Sequence, residues 1–460
     1  MSQPILKELG RILSPGSIIQ QDAWEPYTHD TTILQGLKGQ PDAVIAPQSM
    51  QELQNAINWC YLHDVAIIPR GGGTGLAGGC VPIGGGVVIS LENLSHALNI
   101  DVKDWQAYVD AGITTQKIQK AALENGLYFP PDPGASEQSQ IGGNIATNAG
   151  GPHCLKYGTV SKWVKSLEVI TAYGERHKFG TDLRKDACPI DLKSLFIGSE
   201  GVLGIIARAT LSLIPKPEHE INLLATCKDS ATAVKAMESI FFSGIVPSFI
   251  EFIDEYASAS APAPSVIPST TSAAFVLLMG IDGEKDYTVQ NAQYLVEILR
   301  DVCGEVKVLS SDETKAMWKW RSSMTFGVSA KKGGKVSDDF SVPYYRIPDL
   351  IEHGKEIGIK HNLEFCSWGH AADGTVHATY LVDPKNPQDV QEATAALNEL
   401  MTVAVSFGGS ISAEHGVGFI KKDYVSLQLG DKIIRLQNEI KKVFDPKGLF
   451  NPGKKFPVHV

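Results

Sequence analysis

Residues 368–377 read Trp-Gly-His-Ala-Ala-Asp-Gly-Thr-Val-His, and Ser412-Ala413-Glu414-His415-Gly416 follows near the end of the chain. His370, His377 and Glu414 offer two imidazole nitrogens and one carboxylate oxygen. Such a set suits a divalent ion, and with three protein ligands a coordination position stays open for catalysis. His415 is then left for proton transfer. Spacing alone keeps the alternative open that these are ordinary surface or core residues, because a chain with twelve histidines places some near each other by chance. A turn must bring the first pair together. Asp373-Gly374 is a tight-turn dipeptide flanked by β-favouring residues, so His370 and His377 can face each other across a hairpin.

A second group is rich in glycine. Gly73-Thr74-Gly75-Leu76-Ala77-Gly78 matches Gly-x-Gly-x-x-Gly, but the residues after it are Gly79-Cys80-Val81-Pro82-Ile83-Gly84-Gly85-Gly86 and then a strand-like Val87-Val88-Ile89-Ser90. A Rossmann site needs a helix starting inside the motif to aim its dipole at the diphosphate, so that reading fails. No Lys followed by Ser or Thr makes it a Walker loop. What remains is a strand-to-strand loop, Arg70 to Gly79, whose unobstructed amides can curl around phosphate oxygens, with a diphosphate as the expected guest. Pro130 to Ala135, Ile141 to Gly151 and Gly198 to Gly204 are further glycine-rich segments. Each alone reads as a turn; together they point to main chain packed along an extended cofactor.

The elements that would carry these residues form an α+β chain. Ala43–Ala46 and Val65–Ile68 read as strands around a helix from Gln51 to Leu62. Gly201–Ile206 and Ala209–Ile214 read as further strands, closed by Pro215-Lys216-Pro217. Beyond that boundary, strand-like runs at 274–280, 305–309 and 340–342 alternate with helices at 288–299 and 387–405, which suits a sheet covered on one face by helices. Residues 256–273, rich in Ala, Ser, Pro and Thr, read as an exposed loop, and 432–444 as a helix before a turn-rich tail. The stripe Ile5, Leu6, Leu9, Ile12 and Leu13 is expected to pack on its own domain.

The 460 residues, 43% hydrophobic and 20% charged, fit a globular protein of two or three domains. A net charge of −10 with scattered Lys and Arg argues against nucleic-acid binding. The seven cysteines are odd in number and form no Cys-x-x-Cys, which disfavours a disulfide framework or an iron–sulfur cluster in this chain and fits a cytosol. No apolar run is long enough to span a bilayer, and the N-terminus does not read as a signal peptide. Peripheral association with a membrane and a homodimer are both left open.

Pro69-Arg70-Gly71-Gly72-Gly73-Thr74-Gly75, Pro131-Asp132-Pro133-Gly134, Ile141-Gly142-Gly143-Asn144 and Gly198-Ser199-Glu200-Gly201-Val202-Leu203-Gly204 together resemble the FAD-binding domain of the vanillyl-alcohol oxidase/PCMH flavoprotein superfamily. The His370–His377 run, Ser412-Ala413-Glu414-His415-Gly416-Val417-Gly418 and Asn451-Pro452-Gly453-Lys454 resemble its branch of FAD-linked D-2-hydroxy acid dehydrogenases, which includes glycolate, D-lactate and D-2-hydroxyglutarate dehydrogenases. The resemblance spans nearly the whole chain. It implies an N-terminal helical segment (1–35), a PCMH-type FAD-binding domain (36–215), an α+β substrate or cap domain (216–420) with a helix-covered antiparallel sheet, and a C-terminal segment (421–460) returning to the flavin.

It also implies roles. Arg70, Gly71, Gly72, Gly73, Thr74, Gly78 and Gly79 would hold the FAD diphosphate. Pro131, Asp132, Gly143, Asn144, Gly150, Glu200, Gly204, Asn451 and Lys454 would line the rest of the site. His370, His377 and Glu414 would bind zinc, manganese or iron, with zinc the first expectation, and His415 would be the base. Arg321, in Trp318-Lys319-Trp320-Arg321, resembles the family's carboxylate-binding arginine, with Thr325 and Lys335 as weaker substrate contacts. The flavin is expected to be non-covalent, since no histidine stands in the Gly71–Gly79 loop; His153 and Cys154 are the residues that could overturn this. One departure leaves substrate preference open: Ala372-Asp373-Gly374-Thr375 stands where the family usually has Gly-Asp-Gly-Asn. The expected substrate is a small 2-hydroxy acid. The acceptor is expected to be other than NAD: a quinone, a cytochrome, an electron-transfer flavoprotein or iron–sulfur subunits. An alkylglycerone-phosphate-synthase-like transferase and a non-catalytic flavin subunit are the alternatives.

Overall fold

The computed structural model describes residues 2–32, 36–267 and 275–457. The chain forms two units: residues 1–151, 159–216 and 414–460 make the first, and residues 152–158 and 217–413 the second. The return to the first unit thus begins at Glu414, earlier than the expected boundary at 420.

The first unit begins with the helix Ser2–Leu9, whose apolar stripe enters the core: Leu9 and Leu13 are buried, Ile5 and Leu6 pack beside them, and Ile12 is exposed. A parallel sheet follows in the order β1 (Ala43–Ile45), β3 (Val87–Ser90), β2 (Ile67–Arg70). The helix Met50–Leu62 links β1 to β2, opened by the Ser49 hydroxyl, which accepts the Glu52 N–H at 3.2 Å. The β2–β3 link is the glycine loop itself. A parallel pair normally needs a helical crossover; here 71–86 makes the crossover as irregular chain, leaving a row of amides beside the C-terminal end of β2.

The unit's second sheet is antiparallel, in the order β4 (Leu98–Asp101), β5 (Gln106–Asp110), β9 (Ile205–Ser212), β7 (Val164–Ile170), β8 (Arg176–Gly180), beside a short pair of β6 (Leu127–Tyr128) and β10 (Ile214–Pro215). The strand expected from Gly201 starts only at Ile205. Glu200, Gly201 and Gly204 have φ of 53°, 73° and 153°, a left-handed course that breaks a ladder. The C-terminal tail closes on β2: Ile67 N–H donates to Leu449 O at 2.8 Å and Asn451 N–H to Ile67 O at 2.7 Å.

The second unit is built on a seven-stranded antiparallel sheet ordered β14 (Glu305–Val308), β11 (His219–Cys227), β13 (Phe275–Gly283), β12 (Phe249–Ile253), β16 (Glu364–His370), β17 (Thr375–Val382), β15 (Gly334–Ser341). Helices lie on both faces, where one was expected. On one, Pro387–Ser406 packs on β15 and β17 and Ile347–Lys360 on β16. On the other, Ser311–Lys332 buries Met317, Trp320, Met324 and Val328 against Leu224, Phe249, Leu278, Trp368 and Leu381. That helix was missed because its apolar residues are interleaved with charge. The loop expected over 256–273 opens with the helix Glu255–Ser258; its residues 268–273, and Ala274 of the next expected strand, lie outside the described residues. The segment 152–158 is held to this unit by Asp282, which accepts from Lys156 Nζ and, at 2.6 Å, from Tyr157 Oη.

Candidate functional site

In the first unit the glycine segments enclose a cleft, the usual form of a small-molecule site. Its walls include Arg70, Gly71, Gly72, Gly73, Thr74, Gly79, Gly143, Asn144, Glu200, Gly204 and His415. Gly73 is required: its φ is 69°, and a Cβ there would sit 2.0 Å from the Arg70 guanidinium. That guanidinium bonds Pro26 O at 2.7 Å and His29 O at 2.8 Å, bracing the loop on the N-terminal segment. Asn144 Nδ2 similarly donates to Thr115 Oγ1 at 2.5 Å.

The expected residues outside those walls support the loop. Gly78 has a φ of 72° and abuts Leu37 and Phe419. Asn451 Nδ2 donates to Gly79 O and to Glu200 O, each at 2.8 Å, and Lys454 Nζ reaches Gly79 O at 2.9 Å. Burial pushes the Lys454 ammonium down to about 8, against the pull of Cys80, Asp30 and Glu200. Pro131 O accepts from Gln119 Nε2 at 2.8 Å, a Cβ on Gly151 would lie 2.5 Å from Asp132 O, and Gly150 is buried.

FAD fits these residues. Asp30 Oδ2 and Gln140 Oε1 are buried acceptors without a partner, and both residues border the cleft. Such atoms cost free energy unless an occupant brings donors, as the hydroxyls and N–H groups of a flavin dinucleotide would. Sequence reasoning missed both; two polar residues outside any glycine motif gave no signal.

In the second unit the hairpin forms as expected. Gly374 (φ 82°) makes its turn, where a Cβ would lie 1.8 Å from Val342 O, and the rings of His370 and His377 stand edge to face at 5.4 Å. His377 pairs across the strands with Trp368 on one side and Asp339 on the other. His370 faces Glu251, which sequence reasoning also missed, although a lone charge in Phe249-Ile250-Glu251-Phe252-Ile253 was a usable signal. Glu251 is 0% exposed and accepts from Arg321 Nε and Nη2, each at 2.6 Å, and bonds His370 Nδ1. Burial alone would raise the Glu251 carboxyl, but Arg321 and His370 overcome it and hold it at about 2. The bond from Nδ1 to a carboxylate sets the direction of the His370 ring, the way a protein usually orients a histidine for a role in a site.

Arg321, expected as a clamp, therefore has two nitrogens engaged by Glu251. Thr325, on the same helix, is exposed. Lys335 lies 5.2 Å from the Trp368 ring centroid and donates to Ser337 Oγ at 2.6 Å, and burial pushes it down to about 8. The His153 ring packs edge-on against Phe249 at 5.3 Å in this unit, and Cys154 begins the short helix Cys154–Tyr157. Glu414 is the first residue past Ala413, the last of the second unit, so the chain brings it and His415 into the first.

Residues 41–180 match the family "FAD binding domain", and 216–455 match "FAD linked oxidases, C-terminal domain". The chain is 34% identical to glycolate oxidase subunit GlcD of Bacillus subtilis (strain 168), covering 94% of this chain and 92% of that protein. It is 30% identical to D-lactate dehydrogenase of Anaerostipes hadrus, over 94% and 92% of the two chains. Its fold superposes on p-cresol methylhydroxylase with a TM-score of 0.81 at 17% identity, covering 98% of this chain and 96% of that one. No helix among the described residues is long and apolar enough to cross a membrane. A non-Rossmann glycine cleft in one unit and a helix-covered antiparallel sheet in the other thus agree with the sequence matches: the chain belongs to the FAD-linked oxidases of the PCMH/vanillyl-alcohol oxidase flavoprotein superfamily.

Proposed function

We propose that this protein is an FAD-dependent dehydrogenase that oxidises a small D-2-hydroxy acid, D-lactate or glycolate, to the 2-oxo acid and passes the electrons to an acceptor other than NAD. The observation that carries the reading is His415, a titratable group in the wall of the glycine cleft, next in sequence to the carboxylate Glu414. Relatives over nearly the full length that are named for glycolate and D-lactate oxidation support the substrate class.

The glycine cleft would hold FAD without a covalent bond, and the flavin would supply a hydride acceptor there. His370, His377 and Glu414 would hold a divalent ion, zinc first, which would supply a Lewis-acid charge to the site. His415, as a neutral imidazole, takes the hydroxyl proton, a contribution of about 10²–10⁴-fold. Glu251 fixes the tautomer and direction of His370. Lys335 on β15, and the part of Arg321 not engaged by Glu251, favour the substrate carboxylate, with Thr325 one turn beyond Arg321 on its helix.

Anaerobic mixing of the FAD-loaded protein with glycolate and with the D and L forms of lactate and 2-hydroxyglutarate tests this. Bleaching by a D or achiral acid is expected. A flavin that stays yellow with all of them refutes the dehydrogenase reading and favours an ether-forming transferase.

A further inference from the structure

Glu414-His415 carries two of the roles just assigned, yet it lies in a stretch without helix or strand, between Pro387–Ser406 and the turn at Lys422. A segment with no ladder of its own must be fixed by other groups if its side chains are to hold a reactive geometry. Two buried carboxylates grip its backbone, one on each side.

Upstream, in the second unit, Asp339 is 0% exposed and stands on β15 opposite His377. It accepts the Ala413 N–H at 2.9 Å and the Ser412 hydroxyl at 3.3 Å. Downstream, in the first unit, Glu200 is 8% exposed. Its Oε1 accepts the Val417 N–H at 2.9 Å and its Oε2 the Gly418 N–H at 2.6 Å, while Lys455 Nζ reaches Oε1 at 2.8 Å. Glu200 therefore borders the cleft but gives both oxygens to the returning backbone.

The surrounding chain is shaped for this grip. Glu200 keeps a left-handed φ of 53°, a strained conformation for a residue with a side chain and one that persists where the surroundings over-determine it. A Cβ on Gly416 would lie 3.0 Å from Glu200 Oε1, so the carboxylate reaches the amides beyond only past a glycine. Phe419 N–H then donates to Ala77 O at 2.8 Å, which ties the same segment to the glycine loop.

We propose that Asp339 and Glu200 are positioning residues: by holding the amides on either side of Glu414-His415 they set the base and the carboxylate ligand in place without touching substrate. This rests on the reading of His415 as the base. Glu200→Gln and Asp339→Asn each exchange one acceptor for a donor facing an N–H or a hydroxyl. Lys455→Met removes an ion pair and leaves both Glu200 amide bonds.

The test is anaerobic single-turnover reduction of bound FAD by D-lactate and glycolate, reading limiting rate, apparent substrate Kd, FAD per chain and bound zinc. In Glu200→Gln and Asp339→Asn the limiting rate is expected to fall about 10- to 100-fold while apparent Kd and FAD content stay within about twofold. Bound zinc is expected to drop with the rate, and Lys455→Met to keep both. Wild-type rates in the two carboxylate variants, with His415→Ala slow, overturn the positioning and spare the base. A wild-type rate in His415→Ala overturns the base reading itself. An equal loss in Lys455→Met overturns the proposal too, because the ion pair and not the amides would be responsible. Should Glu200→Gln lose FAD, Asp339→Asn, in the other unit, decides alone.

Discussion

Glu251→Gln takes the charge from a side chain that is 0% exposed and shared between Arg321 and His370. The amide keeps one acceptor oxygen but turns an NH2 toward a donor, leaving the Arg321 guanidinium, whose side chain is 16% exposed, without its counter-charge. Breaking one partner of a buried ion pair costs about 3–5 kcal/mol. For a domain of this size each kcal/mol moves the melting midpoint by about 2–4 °C, so a fall of about 6–20 °C is expected. His370 loses its orienting carboxylate in the same stroke, and the loss of such a partner weakens metal binding about 10- to 100-fold. Thermal unfolding of the FAD-loaded protein followed by circular dichroism, with zinc affinity from chelator competition, reads both. A midpoint within about 2 °C of wild type and unchanged zinc affinity would refute the reasoning, because neither the ion pair nor the histidine would depend on Glu251.

Asp30→Ala removes the unpartnered acceptor at the cleft; the apparent FAD Kd is expected to rise about 2- to 12-fold, one hydrogen bond's worth, by flavin fluorescence titration. His361 sits between Glu392, at 2.6 Å from Nδ1, and Glu399, at 3.2 Å from Nε2, and the hydrogen bond it donates to Glu392 leads in raising its pKa. A raised histidine stabilises fully below its ordinary 6.5 and loses that contribution as pH climbs through the folded value; the two glutamates, lowered chiefly by His361 and Lys360, contribute above their ordinary 4.5 and lose it as pH falls through theirs. The melting difference between wild type and His361→Gln should therefore be largest between those two values and shrink above them, and a difference flat from pH 5 to 9 would contradict the clasp. His415→Ala should retain FAD and reduce about 10²–10⁴-fold more slowly, measured by stopped flow.

The facing histidine pair was legible because His370, His377 and a turn dipeptide lie close in sequence, so a local rule of strand pairing suffices to bring the rings together. The glycine cleft was legible because its loops need residues without side chains. Glu251 and Asp339 were not, for each acts on a partner far along the chain, Glu251 on His370 and Asp339 on Ala413, and the cleft acceptors Asp30 and Gln140 were not because they stand outside the glycine motifs. Such pairs depend on strand order, and β12 lies next to β16 although more than a hundred residues separate them. The Ser311–Lys332 helix was missed for a related reason. It opens with a Ser310–Glu313 capping box, but its sequence mixes Lys, Arg and Trp, and only packing on the sheet decides which side is buried. The strand expected from Gly201 failed because apolar character was weighed above backbone conformation, and glycines at positive φ overrule it.

The proposal that an ion at His370, His377 and Glu414 and the base His415 assist the oxidation of a hydroxy acid by FAD can be decided by one rapid-mixing experiment. FAD-replete protein stripped of metal is mixed anaerobically with D-lactate or glycolate, before and after one equivalent of zinc is restored. Slow bleaching without the ion and recovery with it is the predicted result. Equal, full-speed bleaching in both samples would contradict the account.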